Sequence, residues 1–305
     1  MRADEAARLA GVAATVHRLA VLLAAGVPPD RAWRYLAEGG DDAAVVVTER
    51  VAAGESFPAA IAEAAGPSPP TAREPWLALA AAWRVASIAG APLAATLTDF
   101  AGSLRALAQA RRDIRVALAG PKATVRLVLA LPPVGVLFGA LLGFDTLAVL
   151  FTTPVGLGCL VVGAVLMLVA LRWNRALVGA AERGSTSPGL GLDLVAVALG
   201  GGGALDRAVA VVDETLAQLG LNPVPPAALE SVLRLSRRAG VPAAALLRSE
   251  AEQERRETAA GAAERAAALG VRLMLPLGVC VLPAFVAVAV LPLLYSVVSS
   301  TVQLG

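Results

Sequence analysis

The chain of 305 residues holds few groups that could perform covalent or metal chemistry. Its single imidazole is His17, followed by Arg18 on a stretch with amphipathic spacing; it reads as a helix-surface or core histidine rather than a catalytic base. The two thiols, Cys159 and Cys280, lie inside uncharged apolar runs and far from His17 in sequence. They fall short of a metal ligand set and read as buried, inert thiols. The glycine run Gly200-Gly201-Gly202-Gly203 lacks both the lysine and the preceding strand of a phosphate loop, so it reads as a turn between helices. No serine or cysteine has a plausible histidine partner, and the apolar runs lack the ionisable residues that mark ion or proton pathways. The expectation is a protein that is not an enzyme and takes no cofactor or metal. What remains is arginine. Arg111, Arg112 and Arg115 sit on one charged stretch and Arg255 and Arg256 on another. Guanidinium groups suit carboxylates and phosphates, so these five are candidate partner contacts; the blander role is a solvated belt that sets membrane topology.

The elements that position these residues are dominated by apolarity. Hydrophobic residues make up 57% of the chain, the mean hydropathy is +0.70 and 16% of residues are charged, against roughly a quarter charged in a soluble domain. The excess comes in blocks. Leu127 to Phe144 and Thr146 to Leu171 contain no charge and meet at Phe144-Asp145-Thr146. A helix over the first run reaches roughly 27 Å, close to the hydrocarbon thickness of a bilayer, and the longer second run could tilt to fit. Leu273 to Val298 is a third uncharged run, which Pro276, Pro283 and Pro292 would kink rather than forbid. The expectation is a membrane protein with three spans and polar parts on either side of the hairpin. A net charge of +2 with no basic, aromatic-interleaved tract argues against nucleic acid.

Those polar parts read as helices with turn punctuation and no strand alternation, so the class is all-α. The first has six: about Asp4–Ala25, a short helix restarted by Val27-Pro28-Pro29, about Ala43–Ala53, one capped by Ser56 with Pro58 inside it, Pro75–Ala89, and Pro92 to about Ala119. The second has helices at about Leu192–Leu199, Ala204–Leu219, Pro226–Ala239 and Pro242–Leu269. The resulting boundaries are 1–122 (a first helical bundle), 123–171 (a membrane hairpin), 172–271 (a shorter second bundle), 272–298 (a third span) and 299–305 (a tail).

The two polar parts share signals. Ala86 to Leu97, containing Gly90-Ala91-Pro92, resembles Ser236 to Leu247, containing Gly240-Val241-Pro242, at an offset of 150. In both, a long charged helix follows and leads into an apolar run. Asp30-Arg31-Ala32 has a counterpart in Asp206-Arg207-Ala208, and the second copy is shorter, as though the region around Gly54 to Pro58 were missing. Duplication is the better reading, with Gly90, Pro92, Gly240 and Pro242 as the repeat motif.

Charge then fixes an expected topology. Arg111, Arg112, Arg115, Lys122 and Arg126 precede the first run; Arg172, Arg175 and Arg183 follow the second; Arg255, Arg256, Arg265 and Arg272 precede the third. Between the first two runs stands only Asp145, and the tail carries no charge. The positive-inside rule places both polar parts in the cytoplasm and the carboxyl terminus outside. The opening Met1-Arg2-Ala3-Asp4-Glu5 does not read as a signal peptide.

Several motifs together resemble the type II secretion system F (platform protein) family, in the branch serving Tad, or tight-adherence, pili. The first part is similar to one Tad platform protein through Trp76-Leu77-Ala78, Ala82 to Ala86, Gly90 to Leu93, Ala119 to Thr124 and Leu131-Pro132. The last part is similar to the other through Gly240-Val241-Pro242, Ala251-Glu252, Arg255-Arg256 and Leu275 to Phe285. Both halves here share one chain, where Tad systems usually use two proteins. The resemblance implies cytoplasmic helical bundles on an inner-membrane platform in the plasma membrane that contacts a cytoplasmic secretion ATPase, pilin subunits and other platform subunits. It implies help with pilin insertion or extraction, without catalysis. Many relatives carry a glutamate three residues before the glycine of the helix restart. Ser87 and Arg237 stand there in this chain, so the role of that acidic side chain, including cation binding, does not carry over to them. The runner-up class is a small-solute transporter or channel.

Overall fold

A computed structural model describes residues 3–66, 70–117, 119–141, 146–181, 187–292 and 294. Among them are helices and no strand. The chain divides into two compact units, each built from two separate stretches: Met1–Arg112 with Gly184–Ala260, and Asp113–Arg183 with Gly261–Gly305.

The first unit begins with α1 (Ala3–Ala24), α2 (Pro29–Glu38), α3 (Asp42–Ala52), α4 (Phe57–Glu63), α5 (Pro70–Ala89) and the start of α6 (Leu93–Ala117). The helix expected from Pro75 starts earlier, because Pro75 inside α5 gives up only the backbone bond to the carbonyl four residues before it. Ser56 stands at the N-cap of α4, but its side chain makes no capping hydrogen bond. The cap that does form is at Asp41. Its carboxylate accepts from the Ala44 backbone N–H at 3.3 Å, from the Thr15 hydroxyl of α1 and from Arg18 Nη2 at 3.4 Å, so one side chain ends the Gly39-Gly40 turn, starts α3 and ties it to α1. Leu9, Val16 and Leu19 of α1 pack with Trp33, Val47, Ile61, Leu79, Trp83 and Leu97 in one core. Trp83 lies between Trp33 and Phe57, with ring centroids 6.1 and 5.1 Å away.

The other stretch adds α11 (Leu190–Gly200), α12 (Leu205–Gln218), α13 (Pro226–Ala239) and the start of α14 (Ala243–Arg272). Leu192, Leu194, Val212, Leu216, Val232 and Leu247 form a second core, which also takes in Ala81, Ala82 and Val85 of α5. Residues 79, 80 and 83 thus face one core and 81, 82 and 85 the other, on opposite sides of a helix turning about 100° per residue. Alanine is what permits this: Ala78, Ala80, Ala81, Ala82 and Ala86 are all buried, and short side chains let helices approach α5 from both sides. At Gly201 the approach is so close that a Cβ would overlap the carbonyl oxygen of Ala89.

The second unit contains α7 (Ala119–Leu129), α8 (Leu131–Leu141), α9 (Thr146–Thr152) and α10 (Pro154–Ala181), followed after α14 by α15 (Met274–Pro276) and α16 (Leu282–Phe285). π-helical turns at Leu277–Val281 and Val286–Val290 flank α16. The first apolar run continues from α7 into α8, with a local irregularity at Ala130 just before Pro132 and Pro133 remove two donors. The expected turn at Phe144-Asp145, the first part of the Gly-, Ser- and Pro-rich connector expected over Gly184 to Gly191, and the tail 299–305 lie outside the described residues; the end of that connector already belongs to α11. The second run is not one helix. It breaks at Thr153, whose hydroxyl accepts from the Gly156 N–H at 3.0 Å and so caps α10 at Pro154. The third run keeps helical winding through Pro276 and Pro283 by widening into π-turns, a common way to absorb a missing donor. Small residues seat it: a Cβ on Gly163 would overlap Val288, and one on Gly135 would meet Phe285 at 2.7 Å.

Among the described residues, four helical segments are long and apolar enough to cross a membrane: Ala7–Ala24, Ala123–Leu141, Pro154–Leu177 and one within Ala243–Val290. Ala7–Ala24 differs from the others in its setting, with Leu9, Val12, Val16 and Leu19 buried in the first unit. In the second unit, by contrast, Leu127, Phe138, Leu141, Val161, Leu168, Val279 and Leu282 are each at least 60% exposed, as expected of surfaces facing lipid rather than water.

The two neighbouring glycines at the end of α11 provide a matched test of the α5 contact. Gly201→Ala should lower the melting stability of the purified protein by about 1–3 kcal/mol through overpacking against Ala89. Gly200→Ala, with nothing within 4 Å of its added Cβ, should be neutral or stabilising by up to about 1 kcal/mol. Equal effects in thermal unfolding would disprove the close contact.

Candidate functional site

The repeat motif lies at two helix junctions with the same backbone signature. Gly90 between α5 and α6 and Gly240 between α13 and α14 both adopt φ +68°, a left-handed conformation that glycine enters without steric cost. The Ala91 N–H returns to the Ala86 carbonyl at 2.9 Å, and the Gly240 N–H to the Ser236 carbonyl at 2.9 Å. Pro92 and Pro242 then supply the first carbonyls of the next helices, accepting from the Thr96 and Leu246 N–H groups at 3.1 and 3.4 Å. The other paired motif behaves alike: Gly26 and Gly202 both have φ +84°, and Ala32 and Ala208 both point into cores.

Arg111 and Arg112 sit on α6 in the first unit, and Arg115 on the same helix belongs to the second. Arg112 and Arg115 are exposed and Arg111 is partly buried; Arg112 Nε donates to the Ala108 carbonyl at 3.3 Å. The two α14 arginines have opposite roles. Arg256 is exposed and pairs with Glu252 one turn earlier on its own helix. Arg255 turns inward, its Nη1 2.6 Å from Asp193 Oδ2 on α11, with the two side chains 19% and 28% exposed. Arg255 thereby joins helices 62 residues apart in sequence.

Asp193 is absent from the candidates that the sequence suggests, although its signal is there: it is the one charge in the helix Leu-Gly-Leu-Asp-Leu-Val-Ala-Val-Ala-Leu-Gly. Its carboxyl is pushed above the ordinary carboxylate value, first by burial and further by Asp99 of α6; Arg255, through its charge and hydrogen bond, and Arg248 pull it back only in part. Of the thiols, Cys280 is buried and Cys159 only partly so. His17 is partly buried on α1, and among the described residues no group of three or more His, Cys, Asp or Glu side chains could hold a metal.

Against known families, residues 15–140 match the model described as Type II secretion system (T2SS), protein F. The match takes in the later part of α1, all of α2 to α7 and nearly all of α8, and leaves the second stretch of each unit outside it. A search of the curated proteins finds no match to the chain.

The Asp193–Arg255 pair makes an asymmetric prediction. Because the folded state raises the Asp193 pKa, folding favours its protonated form. That contribution is full below the ordinary value of 3.8 and declines as pH rises through the raised value. Removing Arg255 removes the counter-charge and enlarges the loss. Arg255→Ala should therefore cost about 1–3 kcal/mol at neutral pH, less near pH 4, and Asp193→Asn in that background should restore most of it. Melting curves of the single and double variants at the two pH values check this; additive effects with no pH dependence would rule out the coupling.

Proposed function

We propose that the chain is an inner-membrane platform protein of a type II secretion or type IV pilus-like system of the Tad type. It would couple a cytoplasmic secretion ATPase to insertion or extraction of pilin subunits, catalysing no reaction itself. The observation that carries this reading is the protein F match over residues 15–140, which joins a helical bundle to an apolar helix long enough to span a bilayer. The shared φ values at Gly90 and Gly240 and at Gly26 and Gly202 support a second, shorter copy of the bundle in the same chain.

On this reading the spans are Ala123–Leu141, Pro154–Leu177 and the segment after Arg272, while the buried face of Ala7–Ala24 assigns that helix to the bundle. The arginines flanking the spans support a cytoplasmic location for residues 1–122 and 172–271 and an external carboxyl terminus. The helices α6 and α14 each carry residues of both units, so they are the continuous elements through which ATPase motion would reach the spans. Arg112 and Arg256 are the exposed candidates of the first unit for the ATPase contact. Arg255 serves that surface by holding α14 to α11.

Charge reversal at Arg112 and Arg256 should reduce co-purification of a hexameric secretion ATPase by about tenfold at low salt while membrane insertion is unchanged, as expected for exposed charges at a steering surface. Unaltered co-purification would remove both residues from the interface. Topology has its own check. In a background without Cys159 and Cys280, a cysteine at Ser300 should react with an impermeant thiol reagent added to intact cells and one at Glu254 should not; the reverse pattern would invert the arrangement.

A further inference from the structure

One end of the second unit brings four chain segments to the same level. Ile114 from the end of α6, Val125 of α7 and Leu177 of α10 pack against Leu269 and Leu273 at the end of α14 and just beyond it. Beside these contacts emerge Arg115, Arg126, Arg172, Arg175, Arg265 and Arg272, all of them exposed. Arg115, Arg126 and Arg272 are sequence neighbours of packing residues. The others lie two to five positions away, so with a rise of 1.5 Å per residue each guanidinium stem originates within about 8 Å of a packing residue, and the widest spacing on one helix, Arg265 to Arg272, is about 10 Å. That is comparable to the roughly 5–8 Å of polar headgroup layer on each side of a bilayer.

The charge at this level is strongly one-signed. Asp113 and Glu264 are the acids on the same segments. Among the described residues, Arg18, Arg50, Arg255 and Arg256 form ion pairs and none of these six arginines does. Immediately to one side the surface turns apolar: Leu127 is 73% exposed, Met274 67%, Leu275 60% and Leu168 60%, with Trp173 at the boundary. A ring of unpaired guanidinium groups beside exposed leucines, with an indole between them, has the chemistry of a bilayer interface. Arginine's planar fork suits phosphate oxygens in particular.

We propose that these six arginines form a collar that binds the phosphodiester headgroups of anionic phospholipids. Several lipids would be held at once between the ends of α6, α7, α10 and α14. This rests on the apolar helices crossing the bilayer, but it adds a ligand that the platform role does not supply. It also divides the arginines by task, giving Arg115 to lipid and leaving Arg112 and Arg256 for protein.

The test uses the full-length protein purified in detergent and offered equal amounts of phosphatidylglycerol and phosphatidylcholine, with retained lipid measured by native mass spectrometry. The wild type should retain phosphatidylglycerol over phosphatidylcholine by about fivefold or more. Arg126→Gln, Arg172→Gln and Arg272→Gln together should abolish most of that preference, and the corresponding lysine replacements should keep much of it. Equal retention of the two lipids by the wild type, or an undiminished preference in the glutamine variant, would overturn the proposal. Millimolar inorganic phosphate should leave lipid retention intact; full displacement would make free phosphate the ligand and overturn the lipid assignment. A glutamine variant that keeps its lipids but loses the ATPase would make the collar a protein contact, again against the proposal. Carbonate washing of membranes reads the spans separately: release of the chain would defeat the membrane reading itself, whereas firm insertion without lipid preference defeats only the collar.

Discussion

The first unit depends on one helix being buried on two sides. α5 supplies Leu79, Ala80 and Trp83 to one core and Ala81, Ala82 and Val85 to the other. A helix in that position cannot use large side chains throughout, because neighbours approaching from both directions would be held off. Its run of alanines resolves the conflict, with Trp83 as its large buried side chain, packed against Trp33 and Phe57. Gly201 extends the same logic to the neighbour, removing its own Cβ where it meets Ala89. The dispersion attraction that such close packing brings is small for each pair of atoms and large in sum.

Much of the helical order was legible because its signals are local. Glycine at a left-handed turn and proline at a helix start located the ends at Gly26, Gly90 and Gly240, and the charge-free runs located the apolar helices. The misreadings have physical causes. Thr146 to Leu171 looked continuous because hydropathy does not register a hydroxyl cap, and Thr153 breaks the run at Pro154. The prolines after Arg272 pointed to local irregularity without its form, and the winding there widens into π-turns. The pairing of α5 with α11 was not readable at all, since alanine carries almost no periodic signal and the partners are over 100 residues apart. For the same reason Arg255 could be seen as a candidate but not as the counter-ion of Asp193.

Arginine therefore serves this chain in distinct ways, and burial separates them. Arg255 loses water and must be matched by a fixed carboxylate, a costly arrangement that specifies geometry more than it adds stability. Arg256, exposed to solvent and paired within its own helix, contributes little to folding and remains available. The arginines around Leu269 and Leu273 border an apolar surface instead, where their aliphatic stems have somewhere favourable to lie. A charge count cannot distinguish these settings.

The discontinuous make-up of the first unit has a consequence for how the chain is made. Residues 1–112 leave the ribosome with every buried residue of the first core but with Ala81, Ala82 and Val85 uncovered, and their partners begin only near Leu190. At about 5–20 residues per second that interval lasts several seconds. A face made of alanine and valine is well suited to such a wait. It is apolar enough to drive docking when α11 arrives, yet too shallow to give a stray hydrophobic segment much grip. The small side chains that let α5 sit between two cores thus also leave only a shallow apolar face open before α11 is made.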